Sequence, residues 1–298
     1  MKQYLDALQT VLDHGIEKGN RTGIKTRSLF GHQMRFNLTE TFPATTTKRL
    51  AFKSVVSELL WMIEGSSDER RLAEILHGNR DPKNKTIWTA NAEAEYWKPK
   101  ASFPGDLGRV YGVQWRRWYY ADRERVHMHS GDFLYQRDRD MYKDQLAELI
   151  ENIKEDPESR RHILTAWNPA ELNQMALPPC HMTAQFYVVN KQLSCQLYQR
   201  SCDMFLGVPF NIASYSLLTC MIAQVCNLKP REFIWTGGDC HIYYNHVDAV
   251  MEQLSRKPTW LPTLELNRDI TNIDKFTMND VKLVNYNPLP TIKAAMAV

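Results

Sequence analysis

His181–Val189 (HMTAQFYVV) and Gln192–Gln199 (QLSCQLYQ) flank the dipeptide Asn190-Lys191, and this stretch decides the fold. Two strand-like runs separated by two turn residues predict a β-hairpin. Downstream, Ile212–Cys226 is almost wholly apolar and predicts a central buried helix. Glu232–Trp235 reads as a short strand, His241–Leu254 as a helix and His162–Trp167 as a strand upstream of the hairpin. Toward the N-terminus, residues 3–18 place Tyr4, Leu5, Leu8, Val11, Leu12 and Ile16 on one helical face, which Gly19-Asn20 closes. Met34, Phe36 and Leu38 alternate with Arg35 and Asn37, the period of a strand. Phe52–Ile63 predicts an apolar helix stopped at Gly65. Tyr142, Leu146, Leu149, Ile150 and Ile153 mark another helix. Strands and helices mix without regular βαβ alternation, which predicts an α+β fold. Residues 66–105 and 119–140 read as surface insertions, the first irregular and the second dense in Arg, Asp and His.

The chain has 298 residues, 43% hydrophobic and 24% charged, enough to bury a sizeable core. With no Pro/Gly/Ser-rich linker, one domain over 1–298 is expected. A net charge of +3 argues against a dedicated nucleic-acid partner and leaves room for a local anion pocket. The N-terminus enters an amphipathic pattern directly, and no run of ~18 apolar residues predicts a membrane span. A cytoplasmic location is the expectation. Six cysteines, at 180, 195, 202, 220, 226 and 240, contain no Cys-x-x-Cys pair. Cys195, Cys220 and Cys226 read as buried thiols. His127 and His129 suggest a metal only weakly, since a charged solvated loop accounts for them, and no metal is expected.

Cys180, in Pro178-Pro179-Cys180-His181, is the candidate nucleophile. Thiolate is the reactive form of cysteine, so it needs a cationic setting. Arg200, in Gln199-Arg200-Ser201-Cys202-Asp203, either supplies that cation or clamps a phosphate. Arg160-Arg161 precede a strand, where neighbouring side chains point to opposite faces. One domain would struggle to use both at one site, and a solvated basic pair is the plain alternative. Asn211 caps the buried helix or recognises a base edge, since an amide both donates and accepts. His241 and Tyr243 suit a sugar hydroxyl or a satisfied core. Glu58, at the margin of an apolar helical stripe, has to be paired, open to a cleft or shifted in pKa.

Arg21-Thr22-Gly23, Glu58-Leu59-Leu60-Trp61, Asp106–Gly112, Gln114-Trp115-Arg116, Pro179-Cys180-His181, Gln199–Asp203, Phe210–Tyr215, Gly238–Tyr243 and Ile292-Lys293-Ala294 occur in this order, and with them the chain resembles the thymidylate synthases from end to end. The resemblance implies a mixed β-sheet packed by helices, with one sheet face forming a homodimer interface. It implies reductive methylation of dUMP to dTMP, with 5,10-methylenetetrahydrofolate as cosubstrate. Cys180 would add to uracil C6, with Glu58 and Tyr111 serving a water and proton network. Arg21, Arg200 and Ser201 would hold the phosphate, joined by Arg160 and Arg161 of the second subunit. Asn211 would read the uracil, with Gln199 and Asp203 in the nucleotide site and His241 and Tyr243 at the deoxyribose. Trp88, Asp203, Gly207 and the Val298 carboxylate would contact the folate.

One departure bears on the outcome. The family usually has aspartate after the tryptophan of Trp88, and here Thr89 stands there. The related phage hydroxymethylases add water in place of hydride, giving 5-hydroxymethyl-dUMP. A hydroxyl in place of a carboxylate suggests an altered water at the folate side, so dUMP hydroxymethylation is the alternative expectation. Asn211 speaks against a cytosine substrate.

Overall fold

The computed structural model describes residues 1–20, 22–127 and 133–296. Arg21, Val298 and His129, all named above, lie outside the described residues. The elements, in chain order, begin with α1 (Lys2–His14), β1 (Ile16–Lys18), β2 (Thr26–Asn37), α2 (Phe52–Ile63), α3 (Glu69–His77), α4 (Thr89–Ala92) and α5 (Tyr111–Arg116). Then follow β3 (Trp118–His127), β4 (Phe133–Lys143), α6 (Gln145–Glu155), β5 (Ile163–Thr165), β6 (His181–Val189) and β7 (Gln192–Asp203). The chain continues through α7 (Gly207–Val225), β8 (Lys229–Tyr243), α8 (Val247–Ser255), β9 (Thr263–Leu266) and β10 (Val281–Val284).

A six-stranded sheet runs β1-β2-β8-β7-β6-β5. Its neighbours are antiparallel except β7 and β8, which are parallel. A parallel neighbour needs a crossover, and α7 supplies it. The α+β expectation therefore holds, with a mixed sheet and helices packed on it. The hairpin β6–β7 turns at Asn190 and Lys191, with φ of 50° and 57°. Two successive left-handed residues give the tight turn whose twist matches its strands. Along β7, Leu193, Cys195 and Leu197 are buried while Gln196 and Tyr198 are exposed. One face packs on α7 and the other is open.

Helix α7 forms the centre of the core, with Leu217, Leu218, Met221 and Ile222 all fully buried. Each such side chain contributes ~1.5–3 kcal/mol. By length and composition α7 could cross a membrane, yet 83% of that stretch is buried within the protein. It is a core helix enclosed by its own fold. The first helix is tied to this centre by the Tyr4 hydroxyl, which donates to the Met204 carbonyl at 2.8 Å.

Several expectations are corrected. The first helix ends at His14, and Ile16 is 72% exposed on an edge strand. A Cβ at Gly15 would sit 2.4 Å from the Val11 carbonyl, so the helix closes four residues before the Gly19 read as its stop. Tyr142 belongs to β4, and α6 begins after it. The short strand at 232–235 and the helix at 241–254 are one long strand, β8, with the helix starting only at Val247. Pairing on both sides carries the strand through Gly237 and Gly238, and the glycines serve close packing. A Cβ on Gly237 would lie 2.3 Å from the Trp235 ring. The stretch 66–105 is not an irregular insertion. It contains α3, capped by the Asp68 carboxylate and closed by Gly78 at φ 80°, and it buries Leu72, Trp88 and Trp97. Within the charged 119–140 stretch, residues 119–127 and 133–140 belong to the paired antiparallel strands β3 and β4.

Candidate active site

Cys180 stands just before β6, half-buried. Its backbone is held from two sides. The Cys180 N–H donates to the Tyr111 hydroxyl at 2.8 Å. The Arg200 N–H donates to the Cys180 carbonyl at 2.8 Å. The Arg200 guanidinium donates through Nε to the Pro179 carbonyl at 2.8 Å and through Nη2 to that of Pro178 at 2.9 Å. The face of this cation lies 5.3 Å from the Trp167 ring. Arg200 thus braces the turn that presents the thiol and sets a permanent positive charge beside it.

On one side of Cys180, Tyr111 stacks on His181 at 4.1 Å between centroids and meets Trp88 edge-on at 5.7 Å. Burial, then the neighbouring Cys180, push the Tyr111 phenol well above its usual range, so it is a protonated hydroxyl. Burial brings His181 down to about 3, leaving a neutral ring that hydrogen-bonds through Nδ1 to the Tyr215 hydroxyl at 2.8 Å. Trp88 Nε1 donates to Glu58 Oε1 at 2.6 Å. Burial raises the Glu58 carboxyl, and the Trp88 bond only partly opposes this. Both readings offered for Glu58, paired and shifted, apply. A carboxyl whose charged form is disfavoured by burial takes up a proton more readily than an exposed one, which suits a proton-passing group.

On the other side, Asn211 is not the N-cap of α7 but lies inside its second turn. The start of the helix is instead satisfied by Asp203 Oδ1, which accepts from the N–H groups of Phe205 and Leu206, each at 3.0 Å. Trp235 Nε1 donates to Gln199 Oε1 at 2.9 Å, and Gln199 Nε2 donates to Asn211 Oδ1 at 3.0 Å. An indole can only donate, so the orientation of both amides is fixed. Asn211 keeps a free N–H edge and an acceptor beside it. Gly207 leaves the space above open, since a Cβ there would meet nothing nearer than 3.6 Å. His241, in register with Asp203, contacts Asp239 Oδ1 at 3.2 Å and meets Tyr243 edge-on. His241, followed by burial, Lys18 and Ser28, shapes the Asp239 carboxyl, which is held well below the usual range. Ser201 pairs with Asp239 across the same strands.

Glu58, Trp88, Tyr111, Cys180, Arg200, Gln199, Ser201, Asn211, Gly207, Asp203, His241 and Tyr243 are therefore linked by contacts and strand register into one region. Arg160 and Arg161 are not part of it. Both are exposed in the segment before β5, where Gln185 donates to the Arg160 carbonyl at 3.2 Å. A separate cavity of about 680 Å³, lined by Glu69, Arg70, Phe103 and Pro104 among others, includes none of these residues. Thr89 is buried away from such a role. Its hydroxyl donates to Glu69 Oε1 at 2.6 Å and accepts from the Thr86 N–H at 2.8 Å. Glu69 in turn pairs with Arg70 at 2.6 Å. The hydroxyl is committed to a structural network with Glu69 and Thr86.

Sequence reasoning missed Tyr215, Trp235, Trp167 and Lys48. Tyr215 was legible, because it falls four residues after Asn211 on the same helix face. Lys48, after three threonines, gave no signal. It is 7% exposed, lies 3.3 Å from the centroid of the Phe205 ring and donates to the Phe205 carbonyl. Burial brings its ammonium down to about 7, with Asp203 pulling upward. Lysine in an unfolded chain titrates near ~10.4. Between these values the unfolded chain carries a proton that the folded chain lacks, so stability rises with pH through that window. Lys48→Met is expected to remove this slope. The unfolding free energy of the native chain relative to the variant should rise by ~1–2 kcal/mol from pH 7 to pH 9. Urea denaturation at both pH values reads it, and a constant difference would discard the assignment.

A half-exposed thiol braced by a guanidinium, next to a shifted carboxyl and an oriented amide, is the equipment of an enzyme that attacks its substrate covalently. The sequence profile of the family described as thymidylate synthase matches residues 2–298. Thymidylate synthases from three strains of Coxiella burnetii (Dugway 5J108-111, RSA 331 and RSA 493) are each 51% identical to the chain over 298 residues, covering all of both chains. The chain belongs to the thymidylate synthase family. These relatives do not favour the hydroxymethylase expectation, and the Thr89 hydroxyl on which it rested is bonded to Glu69.

Proposed function

We propose that the protein catalyses reductive methylation of dUMP to dTMP, and that Cys180 opens the reaction by adding to uracil C6. The observation that carries this is the pairing of the Arg200-braced Cys180 with an Asn211 whose amide is locked by Gln199 and Trp235. Asn211 Oδ1 would accept from N3–H of the uracil and its amide would donate to O4. Ser201 and the part of Arg200 not turned to the backbone would meet the phosphate with Arg21, and His241 and Tyr243 would bind the deoxyribose hydroxyl. Addition of the thiolate to C6 places electron density on C5. The folate cosubstrate supplies the one-carbon unit and then the hydride. Trp88, Asp203, Gly207 and Val298 are the residues proposed to hold it, and the open backbone at Gly207 suits a flat ring. Glu58, with its raised pKa, would pass protons through water, and the protonated Tyr111 would order that water rather than act as a free base.

The test is product identity. Incubation with dUMP and methylenetetrahydrofolate is expected to give dTMP and dihydrofolate in equal amounts by chromatography. A hydroxymethyl nucleotide with tetrahydrofolate, or no nucleotide product, would overturn the proposal.

We take residues 1–298 as one catalytic domain, since the buried cluster joins Met1 to Ile292. Six free thiols fit a reducing, cytoplasmic setting. The working form proposed is a homodimer through the open sheet face. That face carries exposed Gln33, Gln185, Tyr187, Gln196 and Tyr198, with Thr236 accepting from Gln33 at 3.1 Å and Gln196 at 3.4 Å. Arg160 and Arg161 would then serve the partner's phosphate site. Arg161→Ala and Arg200→Ala chains, each inactive alone, are expected to regain about a quarter of native turnover when mixed, because half the dimers would hold one complete site. No recovery on mixing would refute the shared site.

A further inference from the structure

Asp239 has no part in the reaction above, yet it is bonded to a residue that does. Asp239, His241 and Tyr243 alternate along β8, so their side chains leave the same face of the sheet. His241 Nδ1 lies 3.2 Å from two oxygens, Asp239 Oδ1 and the Asp239 carbonyl. A carbonyl oxygen only accepts. The carboxylate also only accepts, because the bonds from His241, then Lys18 and Ser28, hold Asp239 well below its usual range. Facing two acceptors, Nδ1 carries the ring proton. In the neutral imidazole the other nitrogen, Nε2, is then an acceptor. It has no hydrogen-bond partner among the described residues, and the His241 side chain is 10% exposed. Register sets His241 beside Asp203 and Asp239 beside Ser201. The carboxylate is itself held. Lys18, on β1, donates through Nζ to Oδ2 at 2.6 Å, and Ser28 Oγ donates to Oδ1 at 2.7 Å. Ser28 is the register partner of His241 on β2. One carboxylate oxygen thus faces a cation that can only donate, and the other faces His241 and Ser28.

We propose that Asp239 is a positioning residue that makes His241 Nε2 an acceptor, so that the site selects a nucleotide whose 3′ substituent donates a hydrogen bond. The inference rests on the proposed reaction of dUMP, whose only free sugar hydroxyl is on the 3′ carbon. That hydroxyl donates to Nε2. A 3′-hydrogen offers no polar group and leaves Nε2 without a partner, which costs binding. A 3′-fluorine is worse, because it sets lone pairs against a lone pair. Fluorine is therefore rejected more strongly than hydrogen, although it is nearer to a hydroxyl in size and polarity. The same rule excludes a nucleotide esterified at the 3′ oxygen, such as one inside a nucleic-acid strand.

The test is equilibrium dialysis of the full chain with labelled dUMP at pH 8, above the ordinary range of an imidazolium. Two competitors are used: 2′,3′-dideoxyuridine 5′-monophosphate, and the same nucleotide with fluorine in place of the 3′-hydroxyl. The native protein is expected to bind the dideoxy nucleotide about 10²-fold more weakly than dUMP, and the fluoro nucleotide about 10³-fold more weakly. Asp239→Asn reads the cause. Lys18 requires an acceptor at the Oδ2 position, so the amide oxygen stays there and the amide nitrogen donates to His241 Nδ1. The ring proton then moves to Nε2, which suits fluorine, while a hydroxyl still binds by accepting. The fluoro penalty should fall about tenfold or more, and the dideoxy penalty should move less than about threefold. A merely structural role would weaken all three nucleotides together. Equal binding of the two analogues by the native protein, or an unchanged fluoro penalty in the variant, would overturn the inference. If the variant does not fold, the native ranking decides alone. Failure of dUMP itself to bind would sink the proposed reaction and this inference with it, whereas bound dUMP with flat ratios sinks the inference only.

Discussion

Cys180→Ser is expected to lower turnover by about 10⁴-fold or more, the scale of loss when a covalent nucleophile is removed, with dUMP affinity changed by less than about threefold. The two effects separate because hydrogen bonds from the backbone hold residue 180 in place. Tyr111 accepts from its N–H, Arg200 donates to its carbonyl, and the guanidinium grips the carbonyls of Pro178 and Pro179. Serine leaves all of these in place. It supplies a hydroxyl that is not ionised at working pH, and neither His181 nor Tyr111 can activate it. His181, held at about 3, is too weak a base, and Tyr111 is held protonated. Turnover followed by dihydrofolate absorbance, with dUMP binding by equilibrium dialysis, reads both halves. Activity within tenfold of native would remove Cys180 as the nucleophile.

Asn211→Asp is expected to collapse discrimination between dUMP and dCMP by about 10²-fold or more. Two hydrogen bonds to the base edge change sense, and a mismatched buried bond costs ~1–3 kcal/mol. The argument depends on polarity propagated from Trp235. That indole fixes Gln199, and Gln199 fixes which end of Asn211 accepts. Aspartate still accepts from Gln199 Nε2, so the side chain stays in position. What it loses is the amide donor, and what it gains is a second acceptor suited to the amino group of cytosine. Competition between dUMP and dCMP for the native and variant proteins measures the ratio. An unchanged ratio would take Asn211 out of base recognition.

The hairpin and the helix over 52–63 were legible because each carries its own period and its own terminator, and the core helix because its sequence is apolar almost throughout. Lys191 and Asn190 accept left-handed φ, and Gly65 at φ 69° ends α2. The failures share a cause. In β8, pairing to β2 on one side and β7 on the other carries the strand through two glycines, and no local signal reports on partners so distant in sequence. In 66–105 the charges concealed a capped helix, because Glu69 and Arg70 neutralise each other under cover and resemble surface residues in sequence. At the site, the residue types Cys180, Arg200 and Asn211 stood out. What stayed hidden was which contacts they make. Arg200 spends much of its guanidinium on backbone, Asn211 sits within its helix rather than before it, and the lysine at 48 is buried with nothing in its neighbours to announce it.

The bond from the Tyr4 hydroxyl to the Met204 carbonyl joins residues 200 positions apart. Ribosomes add ~5–20 residues per second, so the first helix to emerge waits ~10–40 s for the carbonyl it will hold. During that interval β2 is available to its apolar face, while β8 and α8, its other neighbours, are still to be made. A message truncated before codon 204 therefore yields a product without the latch between its first helix and the segment entering α7.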